Sequence, residues 1–326
     1  MLRAFGPACD GSIIDPACGR VPDQATWVDL EEPTAAEERL VEQCLGLDVP
    51  TREELAEIEP SSRFFERDGA IYMTMSTLVG VQDGEPSSTP IAFVLTGNRL
   101  VTVRYATPKP VRNFMEHVDR EPGLARDAAT VLTRLLDAIV ERLADELEAA
   151  GEEIEQISGQ IFRREDRPAR ERRVPADQLE ALLNRIGRAQ ALLARIRETG
   201  VSAARTIGFL FGTERVRRDE QLRERVHSLS ADLASLGDHS AFLASNLTFL
   251  LDASLGLISV EQNAIIKIFS VAAVIFLPPT LVGTIYGMNF EHMPELGWLF
   301  GYPFALALMV MSAVLPYWFF RRRGWL

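Results

Sequence analysis

Hydrophobic positions along this chain follow three successive patterns. Early on they form short runs, in the middle they recur every three to four residues, and near the end they merge into two uninterrupted apolar segments. Trp27-Val28-Asp29-Leu30 predicts a short strand, and Pro33-Thr34 then opens a helix, with Thr34 and Glu37 at capping-box spacing. Residues 70–79, 90–96 and 99–105 are rich in β-branched and aromatic side chains and predict strands. Gly97-Asn98 supplies a tight hairpin turn between the last two. Residues 1–126 are therefore expected to form an α/β domain that acts as a scaffold or sensor.

The pattern then turns helical. Leu132, Leu136, Ile139, Leu143, Leu147, Ile154, Ile157 and Ile161 recur at near-heptad spacing, and Leu179, Leu182, Ile186, Leu193 and Ile196 repeat it. Pro168 and Pro175 bracket the break, and Asp177 with Glu180 offers a cap for the second segment. Residues 127–219 thus predict an antiparallel coiled-coil hairpin. The run 163–173 mixes Arg with Glu165, Asp166 and Glu171, which marks a solvated turn rather than a nucleic-acid patch.

Two segments are apolar enough to cross a bilayer, residues 268–286 and 298–320, each uncharged and close to the roughly 20 residues a helical span needs. Arg321, Arg322 and Arg323 follow the second and Lys267 precedes the first, while the loop 287–297 has no cation. The positive-inside rule then places both termini in the cytoplasm and the loop outside. Tyr286, Trp298, Tyr302, Tyr317, Trp318 and Trp325 sit near the span ends, where amphipathic rings favour the headgroup region. Met1 to Asp10 lacks a long apolar core, so no cleavable leader is expected.

No strong breaker interrupts residues 220–286 before Pro278-Pro279, so a helix about 100 Å long is expected to run into the first span. Along one of its faces, steps of three or four give Asp252, Gly256, Ser259 and Asn263, then apolar Ile266, Phe269, Ala273 and Leu277, then Thr280 and Thr284. A polar vestibule, an apolar constriction and a polar outer mouth form a conduction profile, since narrow apolar rings gate by dewetting.

Composition agrees with a membrane protein carrying a large soluble part: 47% hydrophobic, 25% charged, net charge −12. Its anionic excess lies before Asn263, which argues against a nucleic-acid partner and serves solubility or local cation enrichment. Cys9, Cys18 and Cys44 are odd in number and lack metal-ligand spacing, as in a reduced compartment. The four histidines are scattered and no zinc-protease motif or phosphate-cradling glycine loop is present, so an enzyme is not expected.

At the end of the chain, Leu277-Pro278-Pro279-Thr280-Leu281, Tyr286-Gly287-Met288-Asn289-Phe290-Glu291, Met293-Pro294-Glu295-Leu296 and Gly301-Tyr302-Pro303 resemble the CorA family of magnesium transporters. The ending Arg321-Arg322-Arg323-Gly324-Trp325-Leu326 does too. The match is strongest over about the last 75 residues, including Glu261-Gln262-Asn263, and looser through Trp27-Val28-Asp29-Leu30 and Pro33-Thr34. The resemblance implies an α+β cytoplasmic domain, a long-helix coiled-coil layer and two transmembrane helices in a funnel-shaped homopentameric channel of the inner membrane. Residues 220–286 would be the pore-lining stalk, 287–297 the outer loop, 298–320 the second span and 321–326 a basic cytoplasmic tail.

In that frame Gly287-Met288-Asn289 is the signature loop, and five Asn289 side chains form the outer ion site, assisted by Glu291 and Glu295. Thr280 and Asn263 match polar pore positions, Asp252 a cytoplasmic ring, and Ile266, Phe269 and Leu277 the hydrophobic gate. Lys267 with Arg321, Arg322 and Arg323 forms a basic collar at the inner end. Magnesium holds its six waters tightly, so neutral amide oxygens bind the hydrated ion without stripping it, whereas carboxylates would slow release. No cofactor is expected; Mg2+ is the cargo and also the expected cytosolic regulator, bridging acidic residues between subunits. Glu146, Glu148, Glu152, Glu153 and Glu155 are candidates for that role. The other partners expected are membrane lipids and divalent cations including Co2+ and Ni2+. A zinc transporter of the same architecture and a membrane-anchored scaffold without ion flux stand as alternatives.

Overall fold

The short apolar runs build one seven-stranded sheet: β1 (Leu2–Gly6), β2 (Cys9–Ile13), β3 (Trp27–Glu31), β4 (Phe64–Arg67), β5 (Ala70–Val79), β6 (Ser87–Thr96) and β7 (Arg99–Arg104). Their spatial order is β2-β1-β3-β7-β6-β5-β4, with β3 and β7 parallel and the other pairs antiparallel. This computed structural model describes residues 1–7, 9–57, 59–162, 176–288 and 297–323. The β6–β7 turn has a positive φ at Gly97 (51°) alone, the II′ arrangement that glycine permits at the first turn position. In the β4–β5 turn both Asp68 (φ 50°) and Gly69 (φ 78°) are left-handed, which makes an I′ hairpin. β1, β2 and β4 extend the sheet beyond the expected strands. β2 is largely exposed and has no apolar alternation, so the ladder to β1 rather than burial holds it.

Helices α1 (Ala35–Leu45), α2 (Arg52–Ala56), α3 (Pro60–Arg63) and α4 (Lys109–Arg120) accompany the sheet. The predicted capping box opens α1: the Thr34 N–H donates to Glu37 Oε2 at 2.8 Å, and the Glu37 N–H donates back to Thr34 Oγ1 at 3.4 Å. Both Asp29 on β3 and Arg104 on β7 are buried, with side chains 1% exposed, and they pair at 2.9 Å. Thr102 Oγ1 donates to Asp29 Oδ1 at 2.6 Å and accepts from Trp27 Nε1 at 2.9 Å. Arg104 spends its other donors on Ala106 O and Thr107 Oγ1 and pairs with Glu31 at 3.0 Å. Burial lowers the affinity of the Arg104 guanidinium for its proton, but Asp29 and Glu31 more than offset this and hold it above its usual range.

α5 (Ala128–Phe162) and α6 (Ala176–Gly212) carry the heptad-like repeat, and all thirteen of its apolar residues are buried. Arg185 of α6 donates to both oxygens of Glu153 on α5, at 2.7 and 2.9 Å. Asp177, read as a cap, lies inside the helix, which already includes Ala176. The short α7 (Glu214–Arg218) leads to α8 (Glu220–Tyr286), a single helix of 67 residues.

The expected pair has a third partner. Leu222, Val226, Leu229, Leu233, Leu243, Leu247 and Leu250 of α8 are buried at heptad steps. A Cβ at Gly151 of α5 would touch Leu243 at 3.8 Å, and Phe162 stacks on Phe249 at 5.9 Å. Both contacts advance along α5 and α8 in the same direction, so the two helices run parallel. These elements form one compact unit, Met1–Arg164 with Glu180–Leu250.

The second unit comprises Glu165–Leu179 and Leu251–Leu326, and holds the rest of α8 together with α9 (Gly301–Arg322). Both α8 and α9 contain windows long and apolar enough to span a membrane. Helical geometry continues through Pro278 and Pro279, as span helices allow. α9 starts at Gly301, three residues beyond the hydropathy boundary, with Pro303 in the first turn, where its missing N–H costs no helical hydrogen bond. Arg321 and Arg322 belong to its last turn rather than to a separate tail.

Candidate functional site

α8 and α9 approach each other where Gly283 faces Met309. Val271 on α8 and Ala305 on α9 are buried, and a Cβ at Gly283 would stand 2.8 Å from the Met309 methyl group. Gly283 therefore leaves room for the Met309 side chain between the two helices. Gly283 and Gly287 have small-xxx-small spacing, the only sequence signal for this contact, and it is a weak one.

Counting about 100° per residue, the stripe Ile266, Phe269, Ala273, Leu277, Thr280 and Thr284 lies on the opposite side of α8 from Val271. These six and Asp252, Gly256, Ser259 and Asn263 are all exposed within the chain. Phe269 and Leu277, 71% and 69% exposed, are as open as side chains on the surface of a soluble protein, although both are large and apolar. The hydroxyls of the stripe are satisfied locally. Ser259 Oγ donates to Leu255 O at 3.1 Å, Thr280 Oγ1 to Phe276 O at 2.7 Å and Thr284 Oγ1 to Thr280 O at 2.8 Å. Their lone pairs stay available on an uncharged surface suited to water and hydrated ions.

At the end of α8 the Gly287 N–H donates to Gly283 O at 3.0 Å and Thr284 O at 3.2 Å, and the Met288 N–H to Ile285 O at 3.3 Å. A Cβ at Gly287 would sit 3.2 Å from Gly283 O, so this close backbone approach favours glycine. Asn289, Glu291 and Glu295 lie outside the described residues. Lys267 is exposed, as are Arg321, Arg322 and Arg323. Arg322 Cζ stands 3.5 Å from the centroid of Trp318, and Arg323 Cζ 5.5 Å from that of Phe319.

Among the five acidic candidates on α5, Glu146 is buried and ion-paired with Arg142, and Glu153 is held by Arg185. The Arg185 hydrogen bonds, partly opposed by burial, keep the Glu153 carboxyl below its usual range. Glu148, Glu152 and Glu155 remain exposed. Among the described residues no three His, Cys, Asp or Glu side chains converge as a metal site. A cavity of about 630 Å3 beside β4–β6, lined in part by Glu54, Phe65, Arg67 and Tyr72, includes no residue of the stripe.

Residues 22–322 match the family model described as CorA-like Mg2+ transporter protein. The magnesium transport protein CorA of Yersinia pseudotuberculosis is 34% identical over 300 residues, which cover 92% of this chain and 92% of that one. The protein of the same description from Escherichia coli (strain K12) is 33% identical over 302 residues, 93% of this chain and 92% of its own. Among solved structures, the CorA magnesium transporter from Methanocaldococcus jannaschii matches with a TM-score of 0.77 at 19% identity, over 100% of this chain and 98% of that one. At that identity the match concerns the fold: a soluble α/β part, long helices and two apolar helices at the end. With its family match running from the sheet to the last turn of α9, the chain belongs to the CorA-like Mg2+ transporters, membrane proteins with two transmembrane helices.

Proposed function

We propose that this protein carries Mg2+ across the inner membrane through a pore lined by the exposed stripe of α8, with five copies of the chain around a common axis. The observation that carries this reading is the position of the stripe. Apolar residues from Ile266 to Leu277 and then Thr280 and Thr284 succeed one another on the side of α8 opposite Val271, preceded along the helix by Asp252, Gly256, Ser259 and Asn263, and none of the ten is buried within the chain. Unburied uncharged polar side chains, Asn263 just before the span and Thr280 and Thr284 within it, favour water or polar neighbours over acyl chains. A ring of copies supplies both. Asp252, Gly256, Ser259 and Asn263 would form the inner vestibule, Ile266, Phe269, Ala273 and Leu277 the constriction, and Thr280 and Thr284 the outer approach.

Gly287-Met288-Asn289 tops this path, and the Asn289 amide oxygens would accept hydrogen bonds from the waters of the ion, with Glu291 and Glu295 concentrating cations nearby. Co2+ and Ni2+, of similar hydrated size, would share the route. Both termini lie in the cytoplasm, where Lys267 and Arg321 to Arg323 collar the inner end. Cytosolic Mg2+ would favour the closed pore by bridging carboxylates between copies; Glu148, Glu152 and Glu155 are free to act in this way, whereas Glu146 and Glu153 already hold arginines.

Mg2+ uptake into proteoliposomes containing the full chain, at inside-negative potential, tests the reading. Wild type conducts, and Asn289→Ala abolishes selective uptake. Undiminished Mg2+ flux through Asn289→Ala would remove the outer site from the proposal. Absence of flux through the wild type would favour the scaffold alternative, and Zn2+ outcompeting Mg2+ would favour the zinc one.

A further inference from the structure

The side of α9 turned away from α8 ends in two arginines that no carboxylate among the described residues pairs with. Counting about 100° per residue, Phe304, Met311, Val314, Trp318, Arg321 and Arg322 all lie on the half of the helix away from Ala305 and Met309. Met311, Val314 and Trp318 are 54%, 54% and 51% exposed, so this half presents an apolar surface left open among the described residues. At its inner end the Arg322 guanidinium carbon stands 3.5 Å from the centroid of the Trp318 ring, a cation–π contact that holds the guanidinium beside the indole. No carboxylate among the described residues lies within salt-bridge distance of Arg321 or Arg322, in a chain whose net charge is −12.

We propose that this face of α9 is a binding site for an anionic phospholipid. Along the helix the order is apolar surface, then an indole, then two guanidiniums. A phospholipid has the same order: acyl chain, glycerol level, phosphate. Trp favours the glycerol level, and guanidinium presents a planar fork that takes two phosphate oxygens at once. Arg322, held beside Trp318, would offer one fork to the headgroup, and Arg321, one residue earlier on the same half, would supply the second charge. This inference rests on α9 crossing the membrane and is independent of which ion the protein carries.

The experiment is lipid retention by the full chain purified in a neutral detergent, read by native mass spectrometry with phosphatidylglycerol or phosphatidylcholine added. Wild type is expected to retain phosphatidylglycerol in preference, with the preference falling in high salt and unaffected by inorganic phosphate. Arg321→Gln/Arg322→Gln should lower that affinity about five-fold per guanidinium removed, while Arg321→Lys/Arg322→Lys keeps most of it. Equal retention of the two lipids by the wild type overturns the proposal, as does full phosphatidylglycerol retention by the glutamine variant. Displacement of the lipid by inorganic phosphate would make this a site for soluble anions and likewise overturn it. If the glutamine variant does not fold, the lipid preference of the wild type and its salt dependence decide the matter alone.

Discussion

The two parts of α8 share one backbone helix and differ in what surrounds them. From Glu220 to Leu250 a heptad seam of Leu222, Val226, Leu229, Leu233, Leu243, Leu247 and Leu250 is buried within the chain, with Leu243 beside Gly151. From Leu251 to Tyr286 the sequence is more apolar, yet only 6% of its most hydrophobic window is buried. In water the second pattern would be unstable, because exposed apolar surface costs about 25 cal/mol per Å2. The first part is therefore a core that the chain completes by itself. The second is a surface that the chain leaves open, and in the proposed function lipid, other copies and the contents of a pore would complete it. Burial within one chain thus separates a packed seam from an open apolar face on the same helix.

The largest expected effect lies deep in the self-sufficient part. Arg104→Ala would strand the Asp29 carboxylate in the core, and breaking such a buried pair costs about 3–5 kcal/mol. Denaturant unfolding of the full chain in detergent measures it. A midpoint close to wild type would mean that water reaches this pair and that the first unit is less closed than described.

A matched pair of leucines tests the contrast within α8 directly. Leu247→Ala should cost about 2–5 kcal/mol, as large-to-small changes in a packed core do. Leu277→Ala, at a site 69% exposed, should stay within about 0.5 kcal/mol of wild type in the same assay while changing Mg2+ flux. Equal destabilisation by the two substitutions would erase the distinction between core and pore face.

Much of this contrast could be read from the sequence, because both parts rely on periodicity. The stripe from Asp252 to Thr284 needs only steps of three and four, and the thirteen apolar residues of α5 and α6 repeat clearly enough to predict their burial. What escaped were features set by partners distant in sequence. The repeat from Leu222 to Leu250 is as regular as the other two, but nothing local says which helices it joins. β1 is a five-residue run, and β2 is polar and exposed, so only the ladder between them makes them strands. The I′ signal Asp68-Gly69 was legible in principle; β4 before it is too short and too exposed to alternate visibly. The helical boundary at Gly301 reflects Pro303, which hydropathy ignores.

A smaller effect is expected where α8 and α9 touch. Gly283→Ala would place a methyl group 2.8 Å from the end of Met309, a flexible side chain able to move aside, so the cost should not exceed about 1 kcal/mol. Met309→Ala should absorb that cost in a double-mutant cycle, because the two residues are in contact. Thermal unfolding of the four proteins measures the coupling. Additive effects would mean that Gly283 does not face Met309 between the two helices.

The smallest effect concerns Glu153 and Arg185, which join α5 to α6 in the self-sufficient part. Arg185 holds the Glu153 carboxyl below its usual range, against a partial opposing effect of burial. A carboxylate whose pKa is lowered on folding adds stability that is fully present above its unfolded value, about 4.3, and is lost as pH falls through the folded value. The pair is partly exposed, with side chains 21% and 38% accessible, so solvent screening limits its contribution to less than about 1 kcal/mol at neutral pH. Glu153→Gln should therefore be slightly less stable than wild type at pH 7, and the difference should close on acidification below the usual carboxylate range. A constant difference between Glu153→Gln and wild type from neutral to acid pH would mean that Arg185 steadies Glu153 by packing and not by charge. Bridging by Mg2+ would then have one more carboxylate to draw on.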